Sequence, residues 1–283
     1  MRAARHRTWA IVFLIAAAAG SATPARSLVL DVPPVTQQTP VWCWLAVGEM
    51  LFRHLQVPAV NHNYQCGIIG AMSLSSNQSQ CARDCMLCKT PAGDKNRLMG
   101  MLVEYPLRAA LLADSPAQRV FIGPAGALAD QDIAAELDAH RPIIIGINPR
   151  TRPRSFAGSE HVAMIIGYIG YIARSGMPGA APVELIVNDP FPFSPVSWPD
   201  PYIAAGAQKL QAGQYRISRD VLVEELGWTE SFLVRIDGRH DPAASVCVTT
   251  SVTGTQSCLA APRARAGEAC SCHGAVGRII RRR

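Results

Sequence analysis

The 283-residue chain contains no second long apolar run, no convincing internal repeat and no basic body. Its one extended apolar stretch, Thr8 to Gly20, follows Arg2, Arg5 and Arg7 and precedes small residues through Ala25. That run is shorter than the roughly 20 apolar residues a bilayer-spanning helix needs. The layout predicts an export signal over residues 1–25, with cleavage near Ala22 or Ala25. Secretion or delivery to the periplasm follows, with no stable membrane insertion after the signal is removed.

The net charge of +6 belongs to the two ends. Three arginines leave with the signal. From Leu259 onward, Arg263, Arg265, Arg278, Arg281, Arg282 and Arg283 face the single acid Glu268. Removing both ends leaves a body near −2, which excludes a nucleic-acid-binding role for the body. The basic end reads as a solvated terminus, with contact to an acidic surface or lipid headgroups as the alternative. About 250 residues remain after the signal, enough for one good-sized domain or two closely packed lobes. The expected division is a main domain over 26–237 and a cysteine-containing, Arg-rich extension over 238–283.

Nine cysteines in an exported chain leave one over. Cys66, Cys81, Cys85 and Cys88 form one group, and Cys247, Cys258, Cys270 and Cys272 another. Each group of four can close two disulfides. The first could instead hold zinc in a tetrahedral thiolate site, but export favours disulfides. Cys270 and Cys272 flank one residue and cannot pair with each other without strain. Cys247 and Cys258 are therefore their expected partners, with the connectivity open. Cys43, between Trp42 and Trp44, is the cysteine left unpaired by this grouping.

Along the chain, Leu28, Leu30 and Val32 alternate as a short lead strand. Thr39-Pro40 signals a helix start, with a hydroxyl that can cap and a proline whose missing N–H costs nothing there. Leu45, Val47, Met50, Leu51 and Leu55 follow at helical spacing, burying one face. Residues Asn61 to Lys95 look irregular. Arg97 to Val103 and Leu107 to Leu112 read as two helical pieces interrupted at Pro106. Arg119–Ile122, Ile143–Ile145, His161–Tyr171, Val183–Val187, Gln214–Ile217 and Ser231–Ile236 look extended, and Asp130 to Ala139 is a short amphipathic helix. A helical first part and a β-rich second part predict an α+β chain of two lobes with a cleft between. From Asp237 onward regular apolar periodicity is lost.

A cysteine in the first turn of a helix sits in a field that favours thiolate over thiol. Ser159-Glu160-His161 opens a β-like run, and Asn188-Asp189-Pro190 closes another. The order Cys, His, then Asn or Asp is that of a cysteine hydrolase. In that chemistry Cys43 attacks, His161 holds and returns the proton, and Asp189 or Asn188 orients the imidazole. A glutamine amide upstream, Gln37 or Gln38, would donate to the oxyanion together with the Cys43 N–H. Plainer readings stand beside these: a buried structural thiol, a satisfied core histidine, a turn-forming Asp-Pro and a polar loop glutamine. Arg150, Arg152 and Arg154 could select acidic substrate side chains, but a solvated loop is the simpler account.

Val35-Thr36-Gln37-Gln38-Thr39-Pro40-Val41-Trp42-Cys43-Trp44-Leu45-Ala46 resembles the nucleophile segment of bacterial papain-like cysteine peptidases. That group includes secreted effector proteases of plant pathogens and relatives of the double-glycine leader peptidases. Gly158 to Ala163 is similar to their histidine strand and Val187-Asn188-Asp189-Pro190 to their third position. The resemblance covers roughly Leu28 to Ile236. It implies a papain-like two-lobe fold, with a helical N-terminal lobe and an antiparallel β-rich C-terminal lobe, and here a disulfide-stapled C-terminal appendage. It also implies a polypeptide substrate, no cofactor and no metal. Gln37, six residues before Cys43, fits the family spacing better than Gln38, and Asp189 before Pro190 fits better than Asn188. Only about ten residues separate the expected signal from Gln37, so a long inhibitory pro-segment has no room. The alternatives are an amidase or transglutaminase-like acyltransferase on cell-wall peptides, or an inactive disulfide-stapled binding module.

Overall fold

A computed structural model describes residues 26–73, 84–88, 95–115, 118–150, 161–170, 184–194, 196 and 198–236, and the backbone of 245–251, 254–259, 269–272 and 275–281. The expected signal over 1–25, Cys81, Arg152 and Arg154 lie outside the described residues. Among the described residues, no helix is long and apolar enough to cross a membrane.

The chain is α+β, with helices grouped early and an antiparallel sheet built mostly from the later half. After β1 (Arg26–Val29) come α1 (Cys43–His54), α2 (Tyr64–Ser73) and α3 (Lys95–Leu112). Next are β2 (Val120–Ala125), α4 (Asp130–Asp138), β3 (Ile143–Ile147), β4 (His161–Gly170) and β5 (Glu184–Asn188). A short α5 (Pro201–Ala204), β6 (Gln208–Gln211), β7 (Gln214–Ser218), α6 (Arg219–Glu224) and β8 (Glu230–Ile236) complete this part. The sheet order is β2-β8-β3-β4-β5-β7-β6, and β1 also pairs with β4.

The central strands read as near-continuous apolar runs because both faces are covered: every residue of β3 is buried, as are the first eight of β4. β4 is longer than β3, which pairs only with His161 to Ile165. β1 takes up the remainder of that edge, pairing with Gly167 to Gly170. Gly167 is required there, since a Cβ would come within 2.6 Å of the Leu28 carbonyl oxygen.

α1 packs against β4, α2 and α3. Its residues Trp44 to Phe52 are all buried, so it is a central helix rather than the one-faced helix its spacing predicts. It also begins later than Thr39-Pro40 suggests. Those residues form a turn, closed by Trp42 N–H on the Thr39 carbonyl at 3.2 Å. The Thr39 hydroxyl caps nothing, and the first helical bonds run to the Trp42 carbonyl, making Cys43 the first helical residue.

Other differences have similar causes. The irregular stretch expected over Asn61 to Lys95 contains α2, whose Ile68, Ile69 and Ala71 are drawn into the core despite weak periodicity. α3 runs through Pro106 unbroken, because Leu98, Met101, Leu102, Tyr105 and Ala109 on either side are buried together. Burial on both flanks outweighs the lost N–H. Beyond Asp237 the backbone forms a four-stranded antiparallel sheet of β9 (Ser245–Ser251), β10 (Gly254–Leu259), β11 (Ala269–Cys272) and β12 (Ala275–Arg281), ordered β10-β9-β12-β11. Its register sets Cys247 opposite Cys258. Cys270 and Cys272 lie two strands away from Cys247, on β11.

Candidate active site

Cys43, His161 and Asp189 come together from three separate elements. Cys43 opens α1 with no acidic residue in the first turn, and the residue is half-buried. It is the free cysteine among the described residues. His161 is the first residue of β4, and Asp189 directly follows β5. Because β4 and β5 pair antiparallel, the start of one lies beside the end of the other.

His161 Nε2–H donates to Asp189 Oδ1 at 2.8 Å, with both side chains buried. Asp189 Oδ1 also accepts from the Phe191 N–H at 2.8 Å, while the Asp189 N–H donates to the Gly213 carbonyl at 2.8 Å. The carboxylate therefore cannot swing away from the ring. Nε2 is committed to Asp189, so Nδ1 is the nitrogen left for Cys43. Burial pulls the His161 pKa down. The charge and hydrogen bond of Asp189, then the nearby Cys43 sulfur, outweigh it and hold the ring at about 10, against an ordinary 6.5. The imidazole is thus a buried cation at neutral pH.

An aromatic wall closes the interior side. Phe191 meets the His161 ring edge-on at 6.0 Å and packs against Phe193 and Trp198. Tyr202 stacks on Tyr215 at 4.2 Å and lies close to the Asp189 carboxylate without a well-formed hydrogen bond to it. Burial, then that carboxylate, raises the Tyr202 pKa well above its usual value.

The two glutamines part company. Gln37 is buried and Gln38 is exposed. Gln37 Nε2 donates to the Thr39 carbonyl at 2.8 Å, the same oxygen that accepts from Trp42 N–H. Its amide is therefore folded onto the turn leading to Cys43, with one N–H still available. The Gln37 backbone N–H donates to the Pro190 carbonyl at 2.9 Å, joining this segment to the Asp189 turn. The Gln38 side chain faces Cys66 instead. Asn188 and Asp189 separate as clearly. Asn188 Nδ2 donates to the Val32 carbonyl and its Oδ1 accepts from Gln214, each at 2.9 Å. Both ends of that amide are spent on the segment after β1 and on β7, not on His161.

Cys66 and Cys85 form a disulfide, and Cys88 is disulfide-bonded as well, which leaves no four-thiolate set for zinc. Among the described residues no cluster of His, Cys, Asp and Glu could hold a metal ion. The stapled segment reaches the residue before Cys43, through Trp42 Nε1–H on the Cys88 carbonyl at 2.8 Å. The side chains of Cys247, Cys258, Cys270 and Cys272 lie outside the described residues. Phe191 and Gln65 carry no motif that would single them out in sequence. Phe191 stands two residues past Asp189 in an Asp-Pro-Phe run, its only local signal. No protein-family model matches the chain, and no curated protein is detectably similar to it.

Proposed function

We propose that the chain is an exported cysteine peptidase with a papain-like two-lobe arrangement, acting on polypeptide through Cys43, His161 and Asp189. The observation carrying this reading is the relay itself: a half-buried free cysteine at a helix start beside a buried imidazolium fixed by a buried carboxylate. An imidazolium in that place is the counter-ion of a nucleophilic thiolate.

Cys43 Sγ attacks the scissile carbonyl, forming a tetrahedral oxyanion that the Cys43 N–H and the Gln37 amide stabilise. His161 gives its proton to the leaving amine as the C–N bond breaks, leaving a thioester. The neutral imidazole then takes a proton from water, whose oxygen attacks the thioester. Collapse expels the thiolate and restores the ion pair. Asp189 keeps Nε2–H pointed at itself and Nδ1 at the sulfur throughout. The disulfides support an oxidising compartment, in keeping with export.

The test is hydrolysis of an unstructured polypeptide by the mature protein, alongside mapping of the cysteine that takes up iodoacetamide without reduction. Cys43→Ala and His161→Ala should each lower kcat/KM by about 10⁴-fold or more. Turnover of cell-wall isopeptides with none on ordinary polypeptide would move the reading to an amidase. An unreactive Cys43 would leave only the binding module.

A further inference from the structure

Gln65 lies on α2, away from the Cys43–His161–Asp189 relay, and its side chain is 1% exposed. A buried primary amide is costly unless its donors and acceptor are used. Here all are used. Oε1 accepts from the Gln38 N–H at 2.9 Å, and Nε2 donates to the Thr36 carbonyl at 3.1 Å and to Glu49 Oε2 at 3.0 Å. Thr36 C=O and Gln38 N–H belong to the two peptide groups that flank Gln37. One side chain therefore grips the backbone on both sides of the residue to which the peptidase reading assigns the oxyanion-binding amide.

The third bond ties the grip to the nucleophile. Glu49 sits on α1, six residues after Cys43, and is itself held by Arg53 at 2.7 Å and 2.9 Å. The connection runs from the Cys43 helix through Glu49 and Gln65 to the Gln37 backbone. No β-ladder holds residues 36–38; besides the Gln65 bonds, they are held by the Gln37 N–H on the Pro190 carbonyl and by the Gln37 amide on the Thr39 turn. Gln65 also precedes Cys66, whose disulfide to Cys85 anchors this end of α2.

We propose that Gln65 is a positioning residue that sets Gln37 at oxyanion-binding distance from Cys43. The proposal rests on the peptidase reading above. Oxyanion charge develops in amide hydrolysis but not when a thiolate displaces iodide from iodoacetamide, and that difference separates positioning from general support of the fold.

The experiment compares wild type, Gln65→Ala, Gln65→Glu, Gln37→Ala and the Gln37→Ala/Gln65→Ala pair in the full mature chain. Two rates are read for each: kcat/KM for polypeptide hydrolysis and the iodoacetamide rate at Cys43. Gln65→Ala should lower kcat/KM by about 10- to 100-fold, the scale of a misplaced catalytic group, while alkylation stays within about twofold. Gln65→Glu loses both donated bonds and sets a carboxylate against Glu49 Oε2 and the Thr36 carbonyl, so it should fall at least as far as Gln65→Ala. Gln65→Met, which keeps the side-chain volume without adding charge and loses all three bonds, carries the same comparison if those variants do not fold. The paired variant should be no slower than Gln37→Ala alone, because Gln65 acts through Gln37. Hydrolysis at the wild-type rate in the Gln65 variants, losses that multiply in the pair, or alkylation falling in step with hydrolysis would each overturn the positioning role while leaving the peptidase reading intact. Absence of hydrolysis by wild type overturns that reading and this inference with it.

Discussion

His161 and Asp189 sit at the ends of neighbouring strands whose backbone pairing carries them to one end of the sheet, whereas Cys43 and Gln37 rest on a helix start and an irregular segment. On the sheet side, register does the positioning. β4 and β5 are buried on both faces and flanked by strands on both edges, so a shift of one residue would exchange the side chains packed on the two faces. On the helix side, position depends on individual side chains: Gln65 on Thr36 and Gln38, Trp42 on the Cys88 carbonyl, and the Cys66–Cys85 bond behind them. A ladder spreads its support over many bonds and tolerates losing one. A set of separate clamps should fail one clamp at a time.

The largest effect expected from breaking this contrast is on the sheet side, at Asp189. Asp189→Asn should reduce hydrolysis by about 10²- to 10⁴-fold. It should also change the pH profile. The charge that opposes burial at His161 is lost, so the alkaline limb of activity, expected near pH 10 in wild type, should move to lower pH. The same pair makes stability pH-dependent. A histidine held at about 10 when folded, against 6.5 ordinarily, contributes fully below about pH 6.5 and progressively less as the pH rises toward 10. Urea midpoints at pH 6 and pH 10 should therefore differ more in wild type than in Asp189→Asn, and equal differences would rule out the buried ion pair.

Next in size is the staple. Replacing Cys66 and Cys85 together by serine removes a cross-link spanning 19 residues in sequence, worth about 3 kcal/mol. Hydrogen exchange should speed up in α2 and around residues 36–42, with β4 and β5 amides largely unchanged. Uniform acceleration throughout would show that the two sides are not held separately.

The smallest effect should come from Asn188→Ala. It removes bonds to Val32 and Gln214 at a cost of about 1–3 kcal/mol in stability. The iodoacetamide rate at Cys43 should stay within about twofold. A collapse of hydrolysis comparable to that of Asp189→Asn would instead make Asn188 the orienting residue.

Much of the chain could be read locally. The strands around Ile143–Ile145, His161, Val187, Gln214 and Ser231 announce themselves as apolar runs bounded by Gly, Pro, Asn and Asp, and each appears near its expected place. α4 is similarly plain from its amphipathic spacing. α2 and the passage of α3 through Pro106 could not be read this way, because weak periodicity and a helix-breaking proline are overruled only by burial against partners distant in sequence. β9 to β12 escaped for a related reason: their regularity lies in backbone pairing rather than in alternation of apolar side chains.

By itself the sequence determined which residue types stand where local geometry can use them: a cysteine at a helix start, a histidine opening a buried strand, and an acid closing its neighbour. Tertiary structure alone decided between near-equal neighbours. It buried Gln37 and left Gln38 outside, spent Asn188 on Val32 and Gln214, gave Asp189 to His161, joined Cys66 to Cys85 and bonded Gln65 to the backbone of residues 36 and 38. Adjacent residues share nearly the same local sequence, but their side chains leave the backbone in different directions. Which one meets the imidazole depends on what packs on each side.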